Sequence, residues 1–144
     1  MSQGFLLDTN VLSELMRSTV APEVLAWFAS RAASPMYTSS INQAEVLTGI
    51  ALLPAGRRRD ALARAAQTMF AEDFAGRILN FDSAAAEHYA SIVAGRTALG
   101  RPISTEDGQI AAIALAADMT LVTRNGKDFV AIDGLAQMNP WQAH

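Results

Sequence analysis

Short apolar runs alternate with longer stretches in which apolar residues recur at helical spacing. Phe5 to Leu7 is an apolar run stopped by Asp8, and Asn10 to Arg17 then sets Val11, Leu12, Leu15 and Met16 on one helical face. This predicts a strand, a turn and a helix. Pro22 suits the first turn of a second helix, which carries Val24, Leu25, Trp27 and Phe28 up to a break at Ser34 and Pro35. The two helices are expected to form a hairpin. Met36 to Thr38 reads as a strand. Ser40 followed by Gln43 has the form of a capping box, opening a helix that runs to about Leu53, before Pro54. Gly56 to Phe74 is rich in Ala and Arg, both strong helix formers, and Gly76 closes it.

The alternation continues in the second half. Ile78 to Phe81 reads as a strand, and Asp82 then caps a long helix through Tyr89, Ile92 and Val93 that Gly100 closes after Leu99. Arg101 to Ser104 is a loop, Thr105 opens a helix through Ile110, Ile113 and Leu115, and Thr120 to Thr123 is a strand. Leu135 to Met138, followed by Asn139, Pro140 and Trp141, is expected to form an edge strand. Strands that alternate with helices imply a mainly parallel sheet covered on both faces, an α/β/α sandwich, with residues 1–144 in one domain.

Composition narrows the chemistry. With 51% hydrophobic and 17% charged residues, the chain can bury a sizeable core, which argues against disorder. It has no cysteine, so disulfides, thiolate metal sites and a thiol nucleophile are excluded, and any metal must sit on oxygen or imidazole. The two histidines, His88 and His144, lack metal-ligand spacing. The net charge of −3 does not attract a polyanion as a whole, so a nucleic acid has to be held by local arginines or by a metal. Ten of the eleven basic residues are arginine, the side chain suited to bidentate phosphate contacts. The N-terminal apolar run lacks a basic flank and stops at Asp8, and Ile110 to Ala117 is too short to span a bilayer. A cytoplasmic protein without a membrane partner is expected.

In a parallel sheet, ligands sit beyond the carboxyl ends of the strands, which directs attention to acids there. Asp8 directly follows the first strand and also suits a helix cap. Glu45 shares a helical stripe with Ile41, Gly49 and Leu52, unusual company for a solvated glutamate, although a partly buried structural role is the plain alternative. Asp107 stands in a first helical turn, where the macrodipole favours any carboxylate, yet its stripe continues through Ile110, Ala111 and Ala114. Three inward acids repel one another unless a cation lies between them, and Mg²⁺ suits carboxylate oxygens and water. Arg57, Arg58, Arg59 and Arg64 open a helix where cations oppose the macrodipole; a solvated basic face is the first reading and phosphate contact the second.

These motifs resemble PIN-domain ribonucleases, specifically the VapC or FitB type of toxin in type II toxin–antitoxin pairs. Leu6-Leu7-Asp8-Thr9-Asn10-Val11-Leu12-Ser13-Glu14 is similar to the family's opening strand and first acid, and Ala44-Glu45-Val46 with Gly49 to its second. Asp107 to Ala112 resembles the third, and Thr123-Arg124-Asn125 with Asp128-Phe129 the closing motif. Asn139-Pro140-Trp141 is similar to the FitB subgroup. The fourth acid of many relatives falls at Asn125, which is neutral here, with Asp128 as a displaced substitute.

The resemblance implies metal-assisted hydrolysis of RNA phosphodiester bonds. Asp8 and Asp107 would be the primary ligands of Mg²⁺, or of Mn²⁺, with Glu45 ligating directly or through water. Asn125, Asp128, Thr123 and Asn10 would be auxiliary. It also implies homodimerisation, higher assembly with a cognate antitoxin, and docking of the antitoxin tail at the first hairpin, where Leu12, Met16, Leu25, Trp27 and Phe28 are the expected contacts, with plain core as the alternative for most of them. Two alternatives remain at this stage: a catalytically weak PIN-like binding module, and a phosphoacceptor signalling domain, which also uses strand-end aspartates and a late lysine. Against the second, Asp8 has no acidic neighbour and Lys127 lies beyond Asn125.

Overall fold

A computed structural model describes residues 4–142. His144 and both ends of the expected domain lie outside these residues. The elements follow in the order β1 (Phe5–Leu7), α1 (Thr9–Leu15), α2 (Pro22–Ala29), β2 (Met36–Ser39), α3 (Ser40–Ala51), α4 (Arg57–Thr68), β3 (Ile78–Leu79), α5 (Ser83–Ala98), α6 (Thr105–Ala116), β4 (Thr120–Val122) and β5 (Gln137–Met138). Two irregular turns interrupt the alternation, a π-helical turn at Met69–Asp73 and a 3₁₀ turn at Gly126–Phe129.

The five strands form one sheet in the order β3-β2-β1-β4-β5, and every neighbouring pair is parallel. The chain starts in the middle, builds outward to β3, and then crosses back to place β4 on the other side of β1. Registers of Leu6 with Leu121 and Leu7 with Val122 align the two central strands. Because side chains alternate across a strand, these two rows divide the core. Leu6 and Leu121 pack with Ile92, Ile110, Ile113 and Phe129 beneath α5 and α6. Leu7 and Val122 face Val11, Leu12, Trp27, Val46, Ile50 and Phe70 from α1 to α4 and the π turn. The expected α/β/α layering is thus observed, with two cores on one sheet.

Several boundaries differ from expectation by a residue or more. The cap of α3 is Ser39 rather than Ser40: its hydroxyl accepts from the Asn42 N–H at 3.1 Å. By contrast α6 opens at Thr105 as expected, with Ser104 before it as the cap. The helix expected to reach Phe74 ends as an α-helix at Thr68, and the wider π turn carries Met69 and Phe70 into the core, with Phe74 buried just beyond it. The edge strands shrink to Ile78–Leu79 and Gln137–Met138. Alanines at 111, 112 and 114 let α6 lie close to the sheet, and α5 lies equally close to α6, since a Cβ on Gly108 would stand 2.9 Å from Tyr89 Cε1. No helix among the described residues is long and apolar enough to cross a membrane.

Candidate active site

The sheet order reverses between β1 and β4, and the crevice at such a switch point is where open parallel sheets bind ligands. Asp8 and Thr123 extend from the carboxyl ends of these two strands. The Thr123 hydroxyl donates to Asp8 Oδ2 at 2.7 Å, so residues 115 positions apart are joined across the switch. Asp8 is buried, 5% exposed, and works as the cap of α1 by accepting from the Thr9 N–H at 2.9 Å. Capping and site-building, posed as alternatives by the sequence, are combined in one carboxylate.

Asn42 organises the groups around Asp8 from α3. It is fully buried, and its Nδ2 donates to Asp8 Oδ1 at 3.0 Å and to Thr9 Oγ1 at 3.1 Å, while its Oδ1 accepts from the Ser39 hydroxyl at 2.6 Å. Thr9 in turn donates to Glu45 Oε1 at 2.8 Å. Ser39, Asn42 and Thr9 were not singled out from the sequence. The available signal was the Ser-x-x-Asn spacing beside the better-known Ser40–Gln43 pattern.

Glu45 and Asp107 are brought into the electrostatic field of Asp8. Burial pushes the Glu45 carboxyl above its ordinary range; the Thr9 hydrogen bond opposes this, and the charges of Asp8, Asp107 and Glu106 add to it. Asp107 is likewise raised, first by burial and then by Asp8, Asp128 and Glu106, against a hydrogen bond with Ser104. Glu106, exposed at the start of α6, is a further acid that sequence reasoning passed over. Asp128 is exposed and joins the field around Asp107, while Asn125 is placed closer to Thr123, whose Oγ1 accepts from the Asn125 N–H at 3.1 Å. Asn10 reaches both sides: its Nδ2 lies 3.4 Å from Asp8 Oδ2 and from Thr123 Oγ1, and its Oδ1 accepts from the Arg124 N–H at 3.0 Å.

The charges acting on Glu45 and Asp107 are thus alike in sign. Among the described residues no three acidic or imidazole side chains converge closely enough to cage a metal by themselves. The donor chemistry nevertheless fits a hard divalent cation, because Mg²⁺ needs only one or two carboxylates and keeps several waters. Half-buried carboxylates whose proton affinity is raised by burial and by one another's charge are what such an ion would relieve.

The hairpin divides the five residues expected to meet a partner. Leu12 and Trp27 are fully buried, and both belong to the core on the α1–α4 side of the sheet, so of the two readings the core one holds for them and they are removed from the docking surface. Trp27 is held between the edges of Phe5 and Phe28, with the Arg31 guanidinium 4.6 Å from its ring. Trp27 is therefore core, while Phe28 packs against it from a half-buried position. Leu25 is 53% exposed, and Met16 and Phe28 line an apolar groove of about 760 Å³ between α1, α2 and α4. A second groove, of about 420 Å³, runs between α1, α3 and α4 from Glu45 and Thr9 past Arg17 to Arg58.

Comparison with known proteins places this geometry. The PIN domain family model matches residues 5–135. The chain is 42% identical to plasmid stability protein StbB of Pseudomonas syringae pv. tomato over 96% of its length and 99% of that protein. It is 38% identical to VapC ribonuclease Y4jK of Sinorhizobium fredii, covering 94% of this chain and 96% of the relative. It is 40% identical to toxin FitB of Neisseria gonorrhoeae, covering 94% and 97%. A solved structure of FitAB bound to a DNA fragment superposes with a TM-score of 0.87 at 39% identity, covering 97% of both chains. With the family model matching residues 5–135 and relatives of 38–42% identity covering nearly the whole chain, the chain belongs to the PIN-domain family.

Proposed function

We propose that this protein is a metal-dependent endoribonuclease that acts as the toxin of a type II toxin–antitoxin pair. The observation that carries this reading is the set of uncompensated carboxylates at the β1–β4 switch, where Glu45 and Asp107 are raised by burial and by the charge of Asp8. Similarity to a VapC ribonuclease and to toxin FitB supports the substrate class and the biological role. Asp8 and Asp107 would hold Mg²⁺ or Mn²⁺, with Glu45 binding directly or through water. When bound, such an ion neutralises charge on the scissile phosphate and makes a water more acidic.

The chain's own groups supply the rest. Thr123, Asn42 and Asn10 fix both oxygens of Asp8, so the carboxylate does not reorganise when its charge is engaged. Thr9 occupies Glu45 Oε1 and leaves Oε2 to meet the cation directly or through a water. Asn125 offers a neutral amide where many relatives have an acid, with Asp128 adding charge from the 3₁₀ turn. The partner is a cognate antitoxin. The groove carrying Met16 and Phe28 can receive an apolar segment of it, and the groove ending at Glu45 can admit a basic side chain.

Purified protein should cut labelled RNA in Mg²⁺ or Mn²⁺, lose that activity in EDTA, and regain it on metal addition. Asp8→Asn should lose most cleavage while the protein still folds, because relief of charge repulsion offsets part of the cost of replacing one acceptor oxygen in its buried network. RNA cleavage by Asp8→Asn at the wild-type rate, in the same Mg²⁺ concentration, would remove the assigned site.

A further inference from the structure

A separate polar cavity of about 390 Å³ opens at the carboxyl ends of β4 and β5, on the other side of Thr123 from the acids. Thr123, Arg124, Lys127, Gln137, Asn139 and Gln142 line it, together with Gly126 and Met138. We infer that this cavity is a nucleotide subsite, in which Arg124 and Lys127 hold a backbone phosphate of single-stranded RNA and the neighbouring amides meet its base. The inference rests on the nuclease reading and extends it to how the strand is held beside the cleaved bond.

Charge supplies the first argument. The protein carries a net charge of −3, and Asp8, Glu45, Glu106, Asp107 and Asp128 concentrate negative charge at the switch. A polyanion approaching that edge is repelled unless cations stand close by, and Arg124 and Lys127 follow directly on the strand that carries Thr123.

Preorganisation supplies the second. Arg124 is tied at its backbone N–H to Asn10 Oδ1, the residue that also approaches Asp8, and its guanidinium lies 4.6 Å from the centre of the Trp141 ring. Trp141 is positioned by its own N–H, which donates to Asn139 Oδ1 at 2.9 Å, and the preceding Pro140 is buried. The backbone of Arg124 is thus anchored by Asn10 while its exposed side chain is steadied at the guanidinium by Trp141.

The lining supplies the third. Gln137 donates Nε2 to the Phe129 carbonyl, so its amide is held in one orientation, and Asn139 commits Oδ1 to Trp141 and keeps its Nδ2 donors. Side-chain amides present both donors and acceptors, which suits the edges of unstacked bases. The volume is enough for a nucleotide-sized ligand, and the wall is mostly polar, with Met138 as its large apolar side chain where the grooves between the helices carry several. Gln137, Asn139 and Gln142 also lie beyond the 5–135 match, so the cavity is completed by a segment the general family pattern does not reach.

The test is binding of fluorescein-labelled mixed-sequence single-stranded RNA in EDTA, measured by anisotropy between about 50 and 200 mM salt. Arg124→Gln and Lys127→Gln should each weaken binding and lower the slope of log Kobs against log salt by about 0.7, the counterion release expected for one contact with a single strand. Trp141→Leu should weaken binding several-fold with the slope kept, because both charges remain while the brace is lost. Gln142→Ala should change the ranking among homopolymer RNAs. Lys127 lies on an exposed turn, so its variant should keep the wild-type melting temperature. If wild-type protein binds RNA and the Arg124→Gln/Lys127→Gln double variant binds with the same affinity and slope, the subsite is refuted while the nuclease reading stands. Loss of antitoxin binding in that variant with RNA binding intact would assign the cavity to an acidic segment of the partner and overturn the inference. Absence of both RNA binding and cleavage in the wild type would defeat the nuclease reading, and the subsite with it.

Discussion

Asn42 carries no charge and no proton to transfer, yet it joins Asp8, Thr9 and Ser39 in a fully buried network. Asn42→Ala leaves a buried carboxylate oxygen and two hydroxyls short of a partner, a loss of about 1–3 kcal/mol. Urea denaturation should show that loss, and single-turnover cleavage should fall well beyond what the unfolded fraction explains. A stability loss with full activity per folded molecule would confine Asn42 to capping. The acids behave differently with pH. Glu45 and Asp107 are raised, so between the ordinary and raised values the folded state holds more protons than the unfolded one. Metal-free stability therefore falls as pH rises through that window and stays low above it. Glu14 has the opposite sign: the Ala21 N–H, at 2.8 Å, holds its carboxyl below the ordinary range against the effect of burial, with Arg17 assisting. Its contribution is present above the ordinary value and fades as pH falls through the lowered one. Glu45→Gln should raise the metal-free melting temperature at neutral pH, and Mg²⁺ or Mn²⁺ should stabilise the wild type more than this variant. Melts unchanged by both metal and substitution would contradict a strained acid cluster. The three principal acids were legible because strand ends and interrupted helical stripes mark them. Asn42 was not, because a buried amide leaves the same trace as an ordinary helix-start asparagine.

At the scale of elements, the first hairpin shows where periodicity misleads. Large apolar residues on α1 and α2 exceed what a small outer hairpin needs, but the surplus is used inward: Trp27 and Val24 are buried, while Leu25 is exposed. Trp27→Ala should cost about 3–5 kcal/mol, as expected for truncating a large core aromatic. Phe28→Ala should instead weaken the antitoxin complex more than it lowers the melting temperature, since its side chain lines the open groove. Calorimetric melts of the free protein and titrations with purified antitoxin separate the two. An equal loss of complex and stability in both variants would mean that the groove is not the docking surface. The alternation of strands and helices was readable because each short apolar run is punctuated by Asp, Gly or Pro. The π turn was not, because Met69 to Phe74 continues an unbroken helical composition and only packing of Met69, Phe70 and Phe74 decides its wider winding. The doublet Ser39-Ser40 offers two caps one residue apart, and the one that also reaches Asn42 Oδ1 prevails.

For the whole molecule, the alternation pattern yields a parallel sheet but leaves the strand order open, and it is the order that makes the site. With β1 between β2 and β4, the Asp8 carboxylate at the sheet centre meets Asn42 from one side and Thr123 from the other. That arrangement also sets a schedule for synthesis. A ribosome that has translated as far as Gly100 has delivered Asp8, Asn42 and Glu45, but neither Asp107 nor the strand bearing Thr123. The nascent polypeptide therefore has no central β1–β4 pairing on which to assemble this acidic edge, and the missing contact spans most of the chain, a kind that forms slowly. A protein proposed to attack RNA is thus kept harmless towards the messenger and ribosome producing it until its last third has emerged and folded.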